Sequence, residues 1–404
     1  MVVIIGSGAG GGILAMELSK KGIPVTIIEK GPSINLSDAF RYYDPSDDKV
    51  DILKTSCAGG TTTVSAGNAI RVLEKELENM GISIYEELNE VEILLSVHDM
   101  DDDHFGIGNR KFIETSKKLN LTPIKMPKFI KDEKCIPCGK CAFGCPRDAK
   151  WTSIEFINQA IENGAVFLDN TEVIKIIVEA DQVKGVIVKN KKNEEELIFS
   201  DIVISSAGAI NTAKLLQKLG LPAGKKLFMD PFVTIGGIIK DIGFNKEVQM
   251  NSLIKGENYI LAPHYASFIA NELKKNDIEE SDIFSIMVKI PDDSFGQIKD
   301  GKVIKENSEK DVRFIAEGSA VAGSILINSG VDPKSIISTN LRGAHPGGTA
   351  AIGEVVDLNL ETKIKGLYVS DASVLPKAPG APPILTILAL SKRLSKHLIS
   401  TLKH

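Results

Sequence analysis

Residues 2–12 read VVIIGSGAGGG. The run VVII is short and β-branched, as suits a strand buried on both faces of a parallel sheet, and the helical pattern ILAMELSKKG follows at 13–22. Gly6, Gly8 and Gly11 therefore fall at G-x-G-x-x-G. Each has a separate task there: a tight turn, close approach of backbone to a pyrophosphate, and close packing of helix on strand, with the helix N-terminus turned to the phosphates. A second strand-like segment, PVTIIEKG at 24–31, ends in Glu29, about 20 residues on, where a carboxylate bonds the ribose hydroxyls of adenosine. Strand, glycine turn, helix, strand and acid in this order predict an α/β chain built on a Rossmann-type dinucleotide-binding domain.

The choice between NAD and FAD is made near the other end of the chain. Residues 366–373 are GLYVSDAS, a short apolar strand with Asp371 and Ala372 at its carboxyl end. An acid there can meet the ribityl or pyrophosphate part of an extended dinucleotide, and FAD proteins commonly close their nucleotide domain with such a returning strand. FAD is the expected cofactor.

Composition sets the outer limits. The 404 residues are 43% apolar and 25% charged, enough for a sizeable core and for two domains. A net charge of −5 argues against nucleic acid as partner, because phosphate neutralisation needs a clustered basic surface. The first apolar stretch has no basic segment or small-residue cleavage site before it, and no later stretch approaches the roughly 18 apolar residues of a membrane span. A cytoplasmic protein is expected. Five cysteines, four of them within eleven positions, are no disulfide framework and point to a reducing compartment.

These motifs, together with CAGGTTTVSAGNAIR at 57–71, DIVISSAGAINTAKLL at 201–216 and GAHPGGTAAIGEVVDLNLETKIKGLYVSDASVLP at 343–376, resemble the glucose–methanol–choline (GMC) oxidoreductases, in particular the branch of cholesterol oxidases and long-chain alcohol oxidases. The resemblance implies an FAD-binding domain interrupted twice by a substrate domain with an antiparallel sheet. Residues 1–75, 146–227 and 337–404 would form the first, and 76–145 with 228–336 the second. It also implies that Gly59, Gly60 and Thr61 lie along the flavin, that Val173 holds adenine by a backbone contact, and that Ala207 and Gly208 line the nucleotide. Residues 170–188 read independently as a β-hairpin turning at Ala180-Asp181-Gln182.

Of the six histidines, His345 sits in the Gly-rich RGAHPGGTAAIG, and the resemblance places it at the family's active-site base. Removing a hydride from a carbinol carbon requires the hydroxyl proton to leave at about the same time, and an imidazole is matched to that transfer near neutrality. His264, in YILAPHYASFIA, lines a pocket or belongs to the core; His98, His104, His397 and His404 read as surface. Two positions depart from the resembled pattern. Pro382 in PGAPPILTILAL stands where the alcohol oxidases carry a second His or Asn, and Ser65 where relatives often carry Asn.

Residues 135–151, CIPCGKCAFGCPRDAKW, carry C-x2-C-x2-C-x3-C-P, the run that wraps an iron–sulfur cluster in bacterial ferredoxins. Cys135, Cys138 and Cys141 are expected metal ligands, with Cys145 and Cys57 as rival fourth ligands of a 4Fe-4S cluster; Gly139 and Gly144 give the loop its tight path. Zinc and buried structural thiols are the competing readings. A flavin takes electrons in pairs and a cluster releases them singly, so flavin plus cluster implies a dehydrogenase that serves a ferredoxin-like carrier or partner subunit. Arg110, Lys111, Lys117 and Lys118 form either a docking face for an acidic carrier or a solvated helix face.

The sequence thus predicts an FAD-dependent oxidoreductase acting on the CH–OH group of an uncharged or lipid-like small molecule. A flavin-dependent C=C reductase or desaturase, suggested by Pro382, and a flavin/iron–sulfur electron-transfer subunit are the alternatives.

Overall fold

The computed structural model describes residues 1–44, 51–274 and 278–402. Five short strands, β1 (Val2–Ile5), β2 (Val25–Ile28), β4 (Val166–Leu168), β8 (Ile202–Ser205) and β17 (Leu367–Val369), form a parallel sheet ordered β17-β8-β1-β2-β4. Val3, Ile4 and Ile27 are fully buried, as covering both faces of such a sheet demands. The helix Ala9–Ser19 runs against the helices Ser153–Glu162 and Ile384–Leu402. Gly12 and Gly10 make that contact close, against Ser153 and Ser391, while Gly11 packs the helix onto the glycine turn and β1. A Cβ on Gly11 would stand 2.0 Å from the Gly6 carbonyl oxygen, and Gly6 itself turns the chain at φ +100°. Gly11→Ala is expected to destabilise the fold by about 1–3 kcal/mol, since backbone rather than a flexible side chain must give way. An unchanged urea midpoint would refute this.

The second sheet is antiparallel. It joins β3 (Pro123–Lys125), β9 (Phe228–Ile238), β10 (Ser252–Lys255), β11 (Ile260–Pro263), β12 (Ile283–Lys289), β15 (Ile337–Ser338) and β16 (Arg342–Gly347), with β9 between β12 on one side and β15 and β16 on the other. Phe232 stands opposite both Lys289 and Arg342, Thr234 opposite Met287, and Asp230 opposite Ala344. Because side chains alternate along a strand, these seven residues share one face. The other face carries Val233, Ile235, Phe284, Ile286 and Val288, which pack on Ala322, Ile325 and Leu326 of the helix Glu309–Asn328. One face is thus closed by a helix and the other is left for a site.

Two stretches lie on different sides of the expected domain breaks. Leu77, Ile84, Leu88 and Val91 join the core of the parallel-sheet layer, and β15 and β16 belong to the antiparallel sheet although they follow residue 336. Strand partners at such sequence separation are set by long-range pairing, which local pattern does not carry. The remaining strands are a three-stranded sheet, β5 (Glu172–Glu179), β6 (Gln182–Lys189) and β7 (Glu195–Phe199), and a hairpin of β13 (Gln297–Lys299) and β14 (Lys302–Ile304). Ala180 and Asp181 both take positive φ at the β5–β6 turn, as a two-residue hairpin loop requires.

Candidate active site

A cavity of about 750 Å³ runs from the glycine turn to the face of the antiparallel sheet. At its nucleotide end it is lined by Gly6, Gly8, Glu29, Val173, Ala207, Gly208, Asp371 and Ala372, a set assembled from five separate stretches of chain. A Cβ on Gly8 would meet nothing within 4 Å, so that glycine borders open space, whereas Gly11 stands against the Gly6 turn and Ile4 of β1. Glu29 is buried, which raises its pKa; its carboxylate accepts from Ser7 N at 3.0 Å, Ser7 Oγ at 2.6 Å and Gly31 N at 2.9 Å. Asp371, also raised by burial, accepts from Gly208 N at 2.9 Å, Thr212 Oγ1 at 2.6 Å and Ser373 N at 2.8 Å. Both acids are oriented before any ligand arrives.

Gly60 and Thr61 lie in the wall; Gly59 is one step behind, its N–H donating to Ser7 Oγ at 2.9 Å. The residues present fit an extended dinucleotide. Besides the open space at Gly8, the buried hydroxyls of Ser206 and Thr55 in this wall have no hydrogen-bond partner among the described residues. Ser206 lies in the quoted stretch 201–216 and Thr55 just before 57–71, but no spacing within either stretch singles out the hydroxyl.

At the far end the wall is formed by the antiparallel sheet. His345 lines it, although alternation along β16 would turn an odd-numbered residue away from the face that holds Arg342 and Ala344. A register shift between Ala344 and Gly347 and a φ of +54° at His345 bring its ring round. His345 Nδ1 then lies 2.7 Å from Asp230 Oδ2, and Asp230 Oδ1 accepts from Gly380 N at 2.9 Å. The carboxylate acceptor assigns the Nδ1–H tautomer, which leaves Nε2 as the basic nitrogen. Burial, and then the charge of Lys289, hold the His345 pKa well below the ordinary histidine value, so the imidazole is neutral.

Sequence reasoning missed Asp230 and Lys289. Their only local signal is a charged residue inside an apolar run, FMDPF and SIMVKI. His264 also lines the cavity, with Nδ1 3.3 Å from Thr234 Oγ1 and a pKa pushed down to about 4 by burial and by the charges of Lys289 and Arg342. Pro382 and Ser65 are in the wall as well. The walls are less uniformly apolar than an uncharged or lipid-like substrate would require, because Lys289 and Arg342 enter from β12 and β16. His404 lies outside the described residues.

The four clustered cysteines line a second, small cavity of about 20 Å³. Cys135, Cys138, Cys141 and Cys145 all face it, and burial followed by mutual repulsion pushes the Cys135 thiol up to about 12. Cys57 is not brought there. It is fully buried with Sγ 3.7 Å from Thr63 Oγ1. Gly139 and Gly144 take positive φ and pass too close to the carbonyls of Asn245 and Leu36 for any side chain. No group of three or more His, Cys, Asp or Glu among the described residues is arranged to hold a metal ion, and the expected ligands Cys135, Cys138, Cys141 and Cys145 are included in that.

Two buried lysines stand between this cavity and the larger one. Lys150 Nζ donates to Cys141 O at 3.0 Å, Thr63 O at 2.9 Å and Ser65 O at 2.6 Å; Lys128 Nζ donates to Ala66 O at 3.0 Å, Asn68 Oδ1 at 2.6 Å and Gln249 O at 2.8 Å. Neither forms a salt bridge among the described residues; burial pulls Lys128 down to about 7 and Lys150 down to about 8, and the negative charges that oppose this are those of Cys135, Cys141 and Cys145. Ala142 and Phe143, between Cys141 and Cys145, reach the wall of the large cavity itself.

A nucleotide-binding parallel sheet whose cavity ends at a histidine under an antiparallel sheet defines an FAD-dependent oxidoreductase. Residues 9–249 and 305–391 match the N- and C-terminal family models described as GMC oxidoreductase, and the chain belongs to that family. An uncharacterized protein of Methanocaldococcus jannaschii is 35% identical, covering 98% of this chain and 99% of its own length. A long-chain-alcohol oxidase of Arabidopsis thaliana is 24% identical over 100% of this chain and 67% of its own. Among solved structures, a pyridoxine 4-oxidase superposes with a TM-score of 0.74 at 16% identity, covering 98% of each chain. A formate oxidase does so with 0.75 at 15%, covering 100% of this chain and 98% of its own. No helix among the described residues is long and apolar enough to cross a membrane.

Proposed function

We propose that this enzyme is a dehydrogenase that oxidises the CH–OH group of a small molecule with an apolar body and passes the electrons singly to a ferredoxin-like carrier or partner subunit. The observation that carries the first half is the His345–Asp230 pair at the substrate end of a cavity whose other end is a dinucleotide cradle. Bound FAD would accept the hydride. His345 Nε2 takes the hydroxyl proton, and the Asp230 carboxylate at Nδ1 stabilises the imidazolium that results. His264, held neutral beside Thr234, supplies a second ring nitrogen in the cavity where Pro382 offers no polar side chain.

Because burial lowers the His345 pKa, the base is in its competent neutral form well into the acid range. The rate of anaerobic flavin reduction should therefore hold as pH falls through 6.5 rather than halve there. A titration with a midpoint near 6.5 in kcat/KM, assigned to His345 by its absence in His345→Ala, would contradict the buried dyad.

The second half rests on the cysteine cavity. The donor chemistry fits a cluster: four thiols face one cavity, and two buried ammoniums without carboxylate partners supply the positive charge that four thiolates need nearby. Such a cluster would supply one-electron transfer, and Cys135, Cys138, Cys141 and Cys145 would hold it. Iron, sulfide, zinc and flavin assays on anaerobically purified protein test this part, and stoichiometric zinc without iron would remove it.

A further inference from the structure

Lys289 is a buried charge at the substrate end that the proposed chemistry does not use. It is 4% exposed, stands in the cavity wall and touches the ring of Phe232 at 5.2 Å through Nζ. It makes no hydrogen bond or salt bridge with the described residues. A buried ammonium left in this state is costly unless something in the cavity completes it. Asp230 influences it across space, but its two oxygens are already engaged by His345 Nδ1 and Gly380 N.

Arg342, on the other side of Phe232, differs. Its Nε is held by Asp51 Oδ2 at 2.5 Å and its guanidinium lies 4.5 Å from the Phe268 ring. The sheet face therefore presents one paired cation and one unpaired one, with an aromatic ring between them. The unpaired one lies close enough to His345 and His264 to depress the basicity of both.

We infer that the substrate carries a carboxylate bound by the Lys289 ammonium, so that the compound oxidised is a hydroxy acid whose apolar remainder lies along Phe232, Met250, Met287 and Phe268. This rests on the CH–OH reading of the same cavity. An ammonium that feels the Asp230 charge but has no hydrogen-bonded partner among the described residues can still donate to one carboxylate, and both Lys289 and His345 line the cavity that would hold the neighbouring carbinol. Burial pulls Lys289 down to about 8 against the pull of Asp230, which keeps it protonated at neutral pH.

The FAD-loaded protein is titrated with octanoate and with 1-octanol, following the perturbation of flavin absorbance. Octanoate should bind about 10- to 100-fold more tightly, the range of a hydrogen bond to a charged group. Lys289→Met should abolish that preference at unchanged FAD content, and Lys289→Arg should retain most of it. Equal or weaker binding of octanoate, or a Lys289→Met protein that keeps the preference, overturns the inference. Mixing with 2-hydroxyoctanoate and 1,2-octanediol then separates the two claims. If the acid binds through Lys289 but neither compound reduces the flavin, the CH–OH reading fails while the carboxylate site stands; faster reduction by the diol overturns the hydroxy-acid assignment.

Discussion

Replacing His345 with Ala should slow reduction of the bound flavin by substrate about 10²–10⁴-fold, the range of a positioned general base, while FAD content stays normal. The expected loss is near the upper end. Pro382 offers no hydroxyl, amide or imidazole that could share the proton, and His264 Nδ1 faces the Thr234 hydroxyl rather than a carboxylate that would steady its imidazolium. FAD retention is expected because the hydrogen bonds that orient Glu29 and Asp371 do not involve His345. Asp230→Asn gives a graded companion. It keeps one carbonyl oxygen, which can accept from Nδ1–H, but presents an NH2 donor in place of the oxygen that accepts from Gly380 N and removes the charge that steadies the imidazolium, so its rate should fall between the parent and His345→Ala. Anaerobic stopped-flow bleaching of oxidised flavin reads all three proteins. A His345→Ala protein that bleaches as fast as the parent would eliminate the base assignment, and flavin reoxidation by an alkene without reduction by any alcohol would favour a C=C reductase.

How much of this site was legible in the sequence depends on the distance over which each part is specified. The dinucleotide end is local: strand, glycine turn and helix are contiguous, and Glu29 follows on the next strand, so spacing alone names Gly6, Gly8, Gly11 and Glu29. The substrate end is the reverse. Asp230, Lys289 and Arg342 meet because β9 lies between β12 and β16 in one particular register, and no period within any of the three strands encodes that register.

His345 shows a third situation. Its motif marks it as functional, yet strand alternation by itself turns it away from the cavity. Only the register shift and left-handed backbone explain why it faces Asp230, and the energy that such a conformation stores is held by the surrounding pairs. The glycine-rich flanks, Gly343 before it and Gly347 and Gly348 after it, are the one trace of this in the sequence. Domain breaks were least legible, since whether residues 77–95 cover the parallel sheet or the antiparallel one depends on which apolar surface is available to receive Leu77, Leu88 and Val91.

Substituting Ser for any one of Cys135, Cys138, Cys141 or Cys145 should remove or severely deplete iron and sulfide from the anaerobically purified protein, whereas Cys57→Ser should leave them at parent levels. The contrast follows from placement. The four thiols face one cavity, while Cys57 stays beside Thr63 with its thiol pKa raised by burial and no part in that cavity. Sequence spacing left Cys145 and Cys57 as equals, because a ferredoxin-type run can send its fourth cysteine to a different cluster. In the folded chain the tight turn at Gly144 carries Cys145 back to the other three. Loss of the cluster should then separate the two halves of the reaction. Flavin reduction by substrate would persist, since His345 and Asp230 lie on the antiparallel sheet, but transfer to a one-electron acceptor would fall, because the route past Ala142 and Phe143 would have no carrier in it. Lys128→Met and Lys150→Met add a readout that a purely structural role would not move. With thiolates and cluster in place, removing a buried positive charge should lower the cluster reduction potential, since the reduced form carries more negative charge. A potential that stays fixed in both variants would remove the lysines from the cluster's surroundings, and iron content that survives Cys145→Ser and vanishes in Cys57→Ser would reverse the assignment of the fourth ligand and with it the proposed path of electrons out of the enzyme.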